Sequence, residues 1–347
     1  MYPLSVGTNG VINYSVNVGF SIPLLYGFIS SIYLSIVLHK IYFRSRLTSW
    51  FLRFQIGVDG FACFWGIVFL WIRSLPYSNF ISGWLQCHFW RTQIPIWVLF
   101  GMSTCNMTWL TLDRLWATVY YKTYQRYHRK YMIWCSVGTV LFGLAVNAPQ
   151  VMVVEFQNMT CYTSAIAEFP VAYYFGQFHQ IYWLLTYYML PTAIMITAHF
   201  RVVCVLPLED VIYTDNGPLD GSAEMWQDAN LEEGFQTGQT DSKDAPMYID
   251  PLIPAMTNGM LTLIACMIIA HSYDTSIYLL SNVISFSYTW GTDVQLVSCC
   301  ISTMSCAVNA SIMMLTIPPV RRVVRAHINA FSGRCRNVLI LLGYSKT

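Results

Sequence analysis

Asp113 and Arg114 stand side by side at the end of an apolar run of membrane-crossing length, Ser103-Thr-Cys-Asn-Met-Thr-Trp-Leu-Thr-Leu-Asp113-Arg114-Leu115. Arginine is costly in hydrocarbon, so the pair either anchors the run in the membrane interface or forms a polar switch facing into a bundle. Ser103 precedes Arg114 by eleven residues, three helical turns, so Ser103, Met107, Leu110 and Arg114 share one face. Counting ~1.5 Å per residue from the helix ends on the Arg114 side, Asp59, Ser103 and Asn309 reach a common depth of roughly 13–17 Å from three different runs. A buried carboxylate must be hydrogen-bonded, ion-paired or neutralised. The spacing therefore predicts convergence of Ser103 and Asn309 on Asp59, with a protonated Asp59 bonded to water as the simpler alternative. The chemistry is not catalytic on this reading. His-x-x-Glu-His, Gly-x-Ser-x-Gly and paired aspartates at membrane depth are all missing from the sequence, and Asp59 is expected to be the only ionisable group well inside a span besides histidines.

The elements that must hold these residues are long and apolar. The chain has 347 residues, 55% hydrophobic and only 10% charged, against roughly 25% charged in soluble domains. Seven runs meet the length of about 20 apolar residues that a membrane helix needs: 18–38, 51–72, 93–117, 132–154, 176–200, 252–273 and 294–317. A further stretch, 275–290, is either an extension of the sixth run or a loop at the membrane surface. The expected fold is an all-α membrane protein, a seven-helix transmembrane bundle over 18–318. An extracellular tail over 1–17 precedes it, and a cytoplasmic amphipathic helix and tail over 319–347 follow. The first sixteen residues contain no Lys or Arg, so no cleavable signal is expected and the first run stays.

Orientation follows from positive charge. With the N-terminus outside, 17 of the 19 Lys and Arg residues fall on the inner side and only Arg73 and Arg91 on the outer, which predicts an outer N-terminus and a cytoplasmic C-terminus. Two of the four Asn-x-Ser/Thr sequons, at Asn13 and Asn158, then lie outside as glycosylation candidates, whereas Asn106 and Asn309 fall within spans. Residues 206–250 hold 11 of the 17 acidic residues with Lys243 as the sole base, and their composition predicts a disordered cytoplasmic loop. After the seventh run, Arg321, Arg322 and Arg325 alternate with Val323, Val324, Ile328 and Phe331. That pattern suits a helix lying on lipid head groups. Cys335 beyond it is either acylated or a plain thiol.

Leu-Thr-Leu-Asp113-Arg114-Leu followed by Trp-Ala117-Thr-Val119-Tyr resembles the end of the third helix in rhodopsin-like G-protein-coupled receptors. The resemblance extends to Asp59, Ser103 and Asn309, which in that family surround a sodium ion and waters, and to Pro191 in the fifth run. It also implies a disulfide between Cys87, just before the third run, and Cys161, after the fourth, although Cys87 stands two residues earlier than the family spacing. Departures are visible: Leu115 replaces a Tyr, Asn309-Ala-Ser-Ile-Met313 replaces Asn-Pro-x-x-Tyr, and the sixth run lacks Cys-Trp-x-Pro. The profile is closest to divergent invertebrate branches, including chemosensory and orphan receptors of worms.

The resemblance implies a multi-pass plasma-membrane receptor that binds an extracellular small molecule or peptide and activates a heterotrimeric G protein through Asp113 and Arg114. Lipid is the surrounding partner and nucleic acid is not expected. No cofactor is implied beyond a structural sodium ion. A retinal pigment is excluded because no lysine occurs between Lys243 and Lys346, and a monoamine ligand is disfavoured because Ile96 stands where such receptors have an Asp. Gln93, Trp97, Trp183, Tyr187, His271 and Gln295 are the candidate pocket residues, each also explicable as packing or as an interfacial side chain. The rival reading is a multi-span transporter or ligand-gated channel, which would place several charges along a pathway through the membrane.

Overall fold

The computed structural model describes residues 10–41, 43, 45–72, 78–157, 160–163, 178–205, 252–283 and 293–341. The acidic segment 206–250 and Asn158 lie outside the described residues. The protein is nearly all helical: α1 (Gly10–Lys40), α2 (Arg46–Trp71), a short α3 (Phe80–Leu85), α4 (Ile94–Val119), α5 (Tyr121–Asn147), α6 (Phe178–Val205), α7 (Leu252–Val283), α8 (Asp293–Thr316) and α9 (Pro318–Leu341). Six helices among the described residues are long and apolar enough to cross a membrane: α1, α2, α5, α6, α7 and α8. Around the bundle, Ile22, Ile29, Phe61, Trp134, Leu141, Phe200, Ile269 and Leu315 are exposed. Water would penalise such a surface, and lipid would not.

Of the seven expected spans, the one that falls short of that apolarity is α4, and its position explains why. At 26 residues it measures about 39 Å, enough to span, and it packs against α2, α5, α6 and α7. A helix surrounded by others need not be apolar toward lipid, and α4 buries Ser103, Thr104, Asn106, Thr111, Asp113 and Arg114. Two glycines set its distance from α5. A Cβ on Gly143 would lie 2.9 Å from the Val98 carbonyl oxygen and 2.7 Å from Met102 Cγ, and one on Gly101 would lie 3.1 Å from the Gly143 Cα. Only two hydrogens at this crossing let the backbones meet.

Several boundaries differ from the sequence expectation: the fourth run, expected over 132–154, folds as a helix from Tyr121 to Asn147, so the positions before 132 are helical and not a loop. The first helix begins at Gly10, so Asn13 sits on its opening turns and not in an extended tail. The sixth run continues to Val283 as one 32-residue helix, which resolves the first part of the 275–290 stretch as helix extension. The consequence is chemical, because Asp274 now lies within α7 and not in a loop.

Two large apolar clusters make up most of the core among the described residues, beside two small ones. One gathers Leu38, Leu52, Ile56, Met107, Leu110, Leu263, Met313 and Ile317. The other gathers Ala62, Phe69, Trp97, Phe100, Trp183, Tyr187, Cys306 and Ala307. Along α2 the first ends at Ile56 and the second begins at Ala62; along α4 the limits are Met107 and Phe100; along α8 they are Ala310 and Ala307. Asp59, Ser103 and Asn309 occupy the seam between them.

The segment after α5 tightens into a 3₁₀ turn (Ala148–Val153) and then an antiparallel hairpin, β1 (Val154–Gln157) with β2 (Thr160–Thr163), in which Phe156 pairs with Cys161. Val154, Phe156 and Cys161 are buried and share one face of the hairpin. At the other end of the chain, α9 starts on Pro318, whose missing N–H is no loss at a first helical position. Tyr33 and His327 hydrogen-bond at 2.8 Å and tie α9 to α1, while Ile328 and Phe331 remain exposed.

Candidate functional site

The seam between the two cores holds a buried polar network, in which Asn309 Oδ1 has no hydrogen-bond partner among the described residues. Asp59 is fully buried. Ser103 Oγ donates to its Oδ1 at 2.9 Å and Asn309 Nδ2 donates to its Oδ2 at 3.0 Å. The three residues expected at one depth therefore meet, and they link α2, α4 and α8. Two members were not expected. Gln55 Nε2 donates to Asp59 Oδ1 and Oδ2 at 3.0 and 3.1 Å and lies 2.6 Å from Ser103 Oγ. Asn106 Nδ2 in turn donates to Gln55 Oε1 at 2.8 Å and to the Phe51 carbonyl at 3.1 Å. Both were legible in principle: Gln55 lies four residues before Asp59 and Asn106 three after Ser103, the helical same-face spacings. A sodium ion at Asp59 would need the position that the Gln55 nitrogen fills. The donor set as folded does not fit one.

The second site is the end of α4. Arg114 and Asp113 form an ion pair at 2.7 Å, with both side chains buried. Burial of an adjacent acid and base is unusual, and the elements around them explain it. Ser45 caps α2 by accepting from the Thr48 backbone N–H at 3.2 Å, which turns the Thr48 hydroxyl inward, where it donates to Asp113 Oδ2 at 2.8 Å. From the first turns of α5, Tyr124 donates to Asp113 Oδ1 at 2.8 Å and meets Ser45 Oγ at 2.7 Å. Burial, and then the charge of Asp113, push the Tyr124 hydroxyl up to about 12, so it keeps its proton and donates throughout the physiological range. Asp113 thus joins α2, α4 and α5 at one point.

The six expected pocket residues are all buried. Four of them form a continuous chain across α4, α6 and α7. Trp97 meets Trp183 edge-on at 5.5 Å, Trp183 stacks on Tyr187 at 4.3 Å, and Tyr187 hydrogen-bonds to His271 Nδ1 at 3.0 Å. Pro191 shapes this arrangement. Its ring would clash with the carbonyl four residues back, that of Tyr187, and the helix widens into a π turn over Leu184–Met189. Such turns re-aim side chains and recur at functional sites. Gln93 caps α4 with φ 57°, the left-handed region, and its Oε1 has no partner among the described residues. Gln295 is fully buried on α8.

Asp274 corrects the expectation that Asp59 would be alone. It is buried on α7, accepts from Ser298 Oγ of α8 at 2.5 Å, and is an electrostatic neighbour of Tyr187 and Tyr278. The sequence reading missed it because the apolar run stops at the His271-Ser-Tyr-Asp274-Thr segment, whereas the helix does not.

Cys87 and Cys161 are disulfide-bonded, with Cα atoms 5.5 Å apart. Cys87 lies in a π turn over Gln86–Arg91 and Cys161 in β2, so the bridge fastens the hairpin to the segment leading into α4. Val154 and Phe156 pack around it, and His88 Nδ1 hydrogen-bonds to the Val151 carbonyl at 2.9 Å. Cys63, Cys135, Cys299, Cys300 and Cys306 are free and buried, as apolar-run cysteines should be.

The sequence matches no protein-family model, and no curated protein matches it.

Proposed function

We propose that this protein is a rhodopsin-like G-protein-coupled receptor of a divergent kind, set in the plasma membrane with α4 as a seventh span, the N-terminus outside and the C-terminus in the cytoplasm. The observation that carries the reading is the buried Asp113–Arg114 pair at one end of the central helix, held by Thr48 and Tyr124 from two neighbours. An interfacial anchor would extend its charges to head groups. A charge pair turned inward is a two-state element: opening of that end exposes Arg114 to a partner, and a ligand that prefers the open packing shifts the population. The aromatic chain from Trp97 to His271 lies toward the other end and is the proposed ligand-responsive part. The heterotrimeric G protein is the proposed partner and no catalytic role is assigned.

One observation favours the rival transporter or channel: Asp59 and Asp274 are two buried carboxylates at different levels of the bundle, as a cation pathway would need. Guanine-nucleotide exchange in membranes from expressing cells, set beside ion flux in the same cells, separates the two. Exchange above that of control membranes without added flux is expected; flux without exchange would transfer the reading to the rival.

Orientation has its own test. An epitope tag near Asp228 should be invisible to antibody on intact cells and visible after permeabilisation, while a tag preceding Gly10 should be visible on both. Labelling near Asp228 without permeabilisation would invert the assignment.

A further inference from the structure

We propose that the side-chain amide of Gln55 is a built-in neutral substitute for a cation at Asp59, occupying the position between the Asp59 carboxylate and Ser103 that an ion would take and making the bundle indifferent to sodium. Three oxygens converge on one nitrogen: both carboxylate oxygens of Asp59, at 3.0 and 3.1 Å, and the Ser103 hydroxyl, at 2.6 Å. A small cation would use the same three atoms, so ion and amide exclude one another. The amide's orientation is fixed by a second layer. Gln55 Oε1 accepts from Asn106 Nδ2 at 2.8 Å, and the same nitrogen is anchored on the Phe51 carbonyl at 3.1 Å. A flipped amide would set oxygen against carboxylate and NH2 against NH2, two repulsive pairs in place of two bonds.

The local arithmetic favours the amide over an ion. Gln55 lies one turn from Asp59 on α2, so it reaches the carboxylate without crossing a helix interface. Gln55 and Asp59 are both fully buried, and an entering ion would lose its hydration in a seam bounded on both sides by apolar clusters. Asn309 Nδ2 supplies the remaining donor to Oδ2. The carboxylate is then met by donors from α2, α4 and α8, and Asn106 acts as the positioning residue that holds the amide in place.

The test needs no ligand and no G protein, so its result is independent of the receptor reading. Purified full-length protein in detergent is unfolded thermally in sodium, potassium or choline chloride at equal ionic strength. A thiol-reactive dye follows exposure of the buried Cys63, Cys299, Cys300 and Cys306. The parent should unfold at the same temperature in all three salts. Gln55→Ala should unfold earlier in choline and recover by roughly 3 °C in sodium, and adding Asp59→Asn should remove that recovery. Asn106→Ala, which leaves Gln55 present but loose, should show a smaller sodium response. A parent stabilised by sodium, with that response lost in Asp59→Asn, would overturn the proposal, as would a Gln55→Ala protein that folds yet ignores sodium. The parent measurement decides the matter if the variants cannot be purified.

Discussion

Replacement of Arg114 by alanine should reduce nucleotide exchange to the level of control membranes while leaving surface expression near that of the parent. The guanidinium is the group proposed to meet the G protein, and its removal takes away that contact altogether. Asp113→Asn should act in the opposite direction. Asp113 accepts from Arg114, Thr48 and Tyr124, and an asparagine offers one acceptor oxygen and an NH2 that faces other donors. The closed packing loses its charge pair, and a loss of even ~1.4 kcal/mol raises a minor open population about tenfold. Ligand-independent exchange per surface receptor should rise accordingly, and Tyr124→Phe should raise it less, because it removes one of three bonds and no charge. No carboxylate occurs in the first turns of α7, Leu252-Ile-Pro-Ala-Met-Thr257, so the closed state lacks an acid there to compensate. If Arg114→Ala exchanges nucleotide as well as the parent at equal surface density, the end of α4 is structural and the receptor reading loses its main support.

Loss of the Cys87–Cys161 bridge should have the largest effect on folding. The bonded residues are 74 apart in sequence, and the chain-entropy estimate for closing such a loop is about 4 kcal/mol. Cys87→Ser and Cys161→Ser should each reduce surface protein severely and to the same extent. The double variant should match the singles, since either one already opens the loop. The hairpin should also loosen from α3: Phe156 covers Gly83 so closely that no Cβ could be added there, a contact that depends on the bridge for its position. Limited proteolysis across 154–163 reads this directly. Additive losses from the two cysteines would show that each acts alone.

Much of the bundle was legible because the membrane leaves few choices. With no water to satisfy backbone groups, an apolar run of sufficient length must be helical, and six of the seven expected runs fold as helices long and apolar enough to span. The shared depth of Asp59, Ser103 and Asn309 followed from a rise per residue that hardly varies. The buried face of α4 followed from the period of the helix. In the same way the amphipathic pattern of Arg321, Arg322 and Arg325 with Ile328 and Phe331 lies within a single helix, α9.

Packing decided the rest. Composition put Asp113 and Arg114 at a helix end but could not tell inward from outward; Thr48, 65 residues away, and Tyr124, across the break between α4 and α5, hold Asp113 inward. Hydropathy ended the sixth run before Asp274 because a carboxylate counts against an apolar run, whereas α7 continues to Val283 and Ser298 of α8 donates to that carboxylate inside the bundle. The strands Val154–Gln157 and Thr160–Thr163 are too short for periodicity to assert itself; cross-strand pairing and the disulfide make them a hairpin. The polar seam shows the division most clearly. Sequence spacing brought three oxygen- and nitrogen-bearing side chains to one level and left the space between them open to an ion. Only the folded chain shows that a fourth side chain, Gln55, fills it, because which way a glutamine points is settled by the partners that the neighbouring helices offer it.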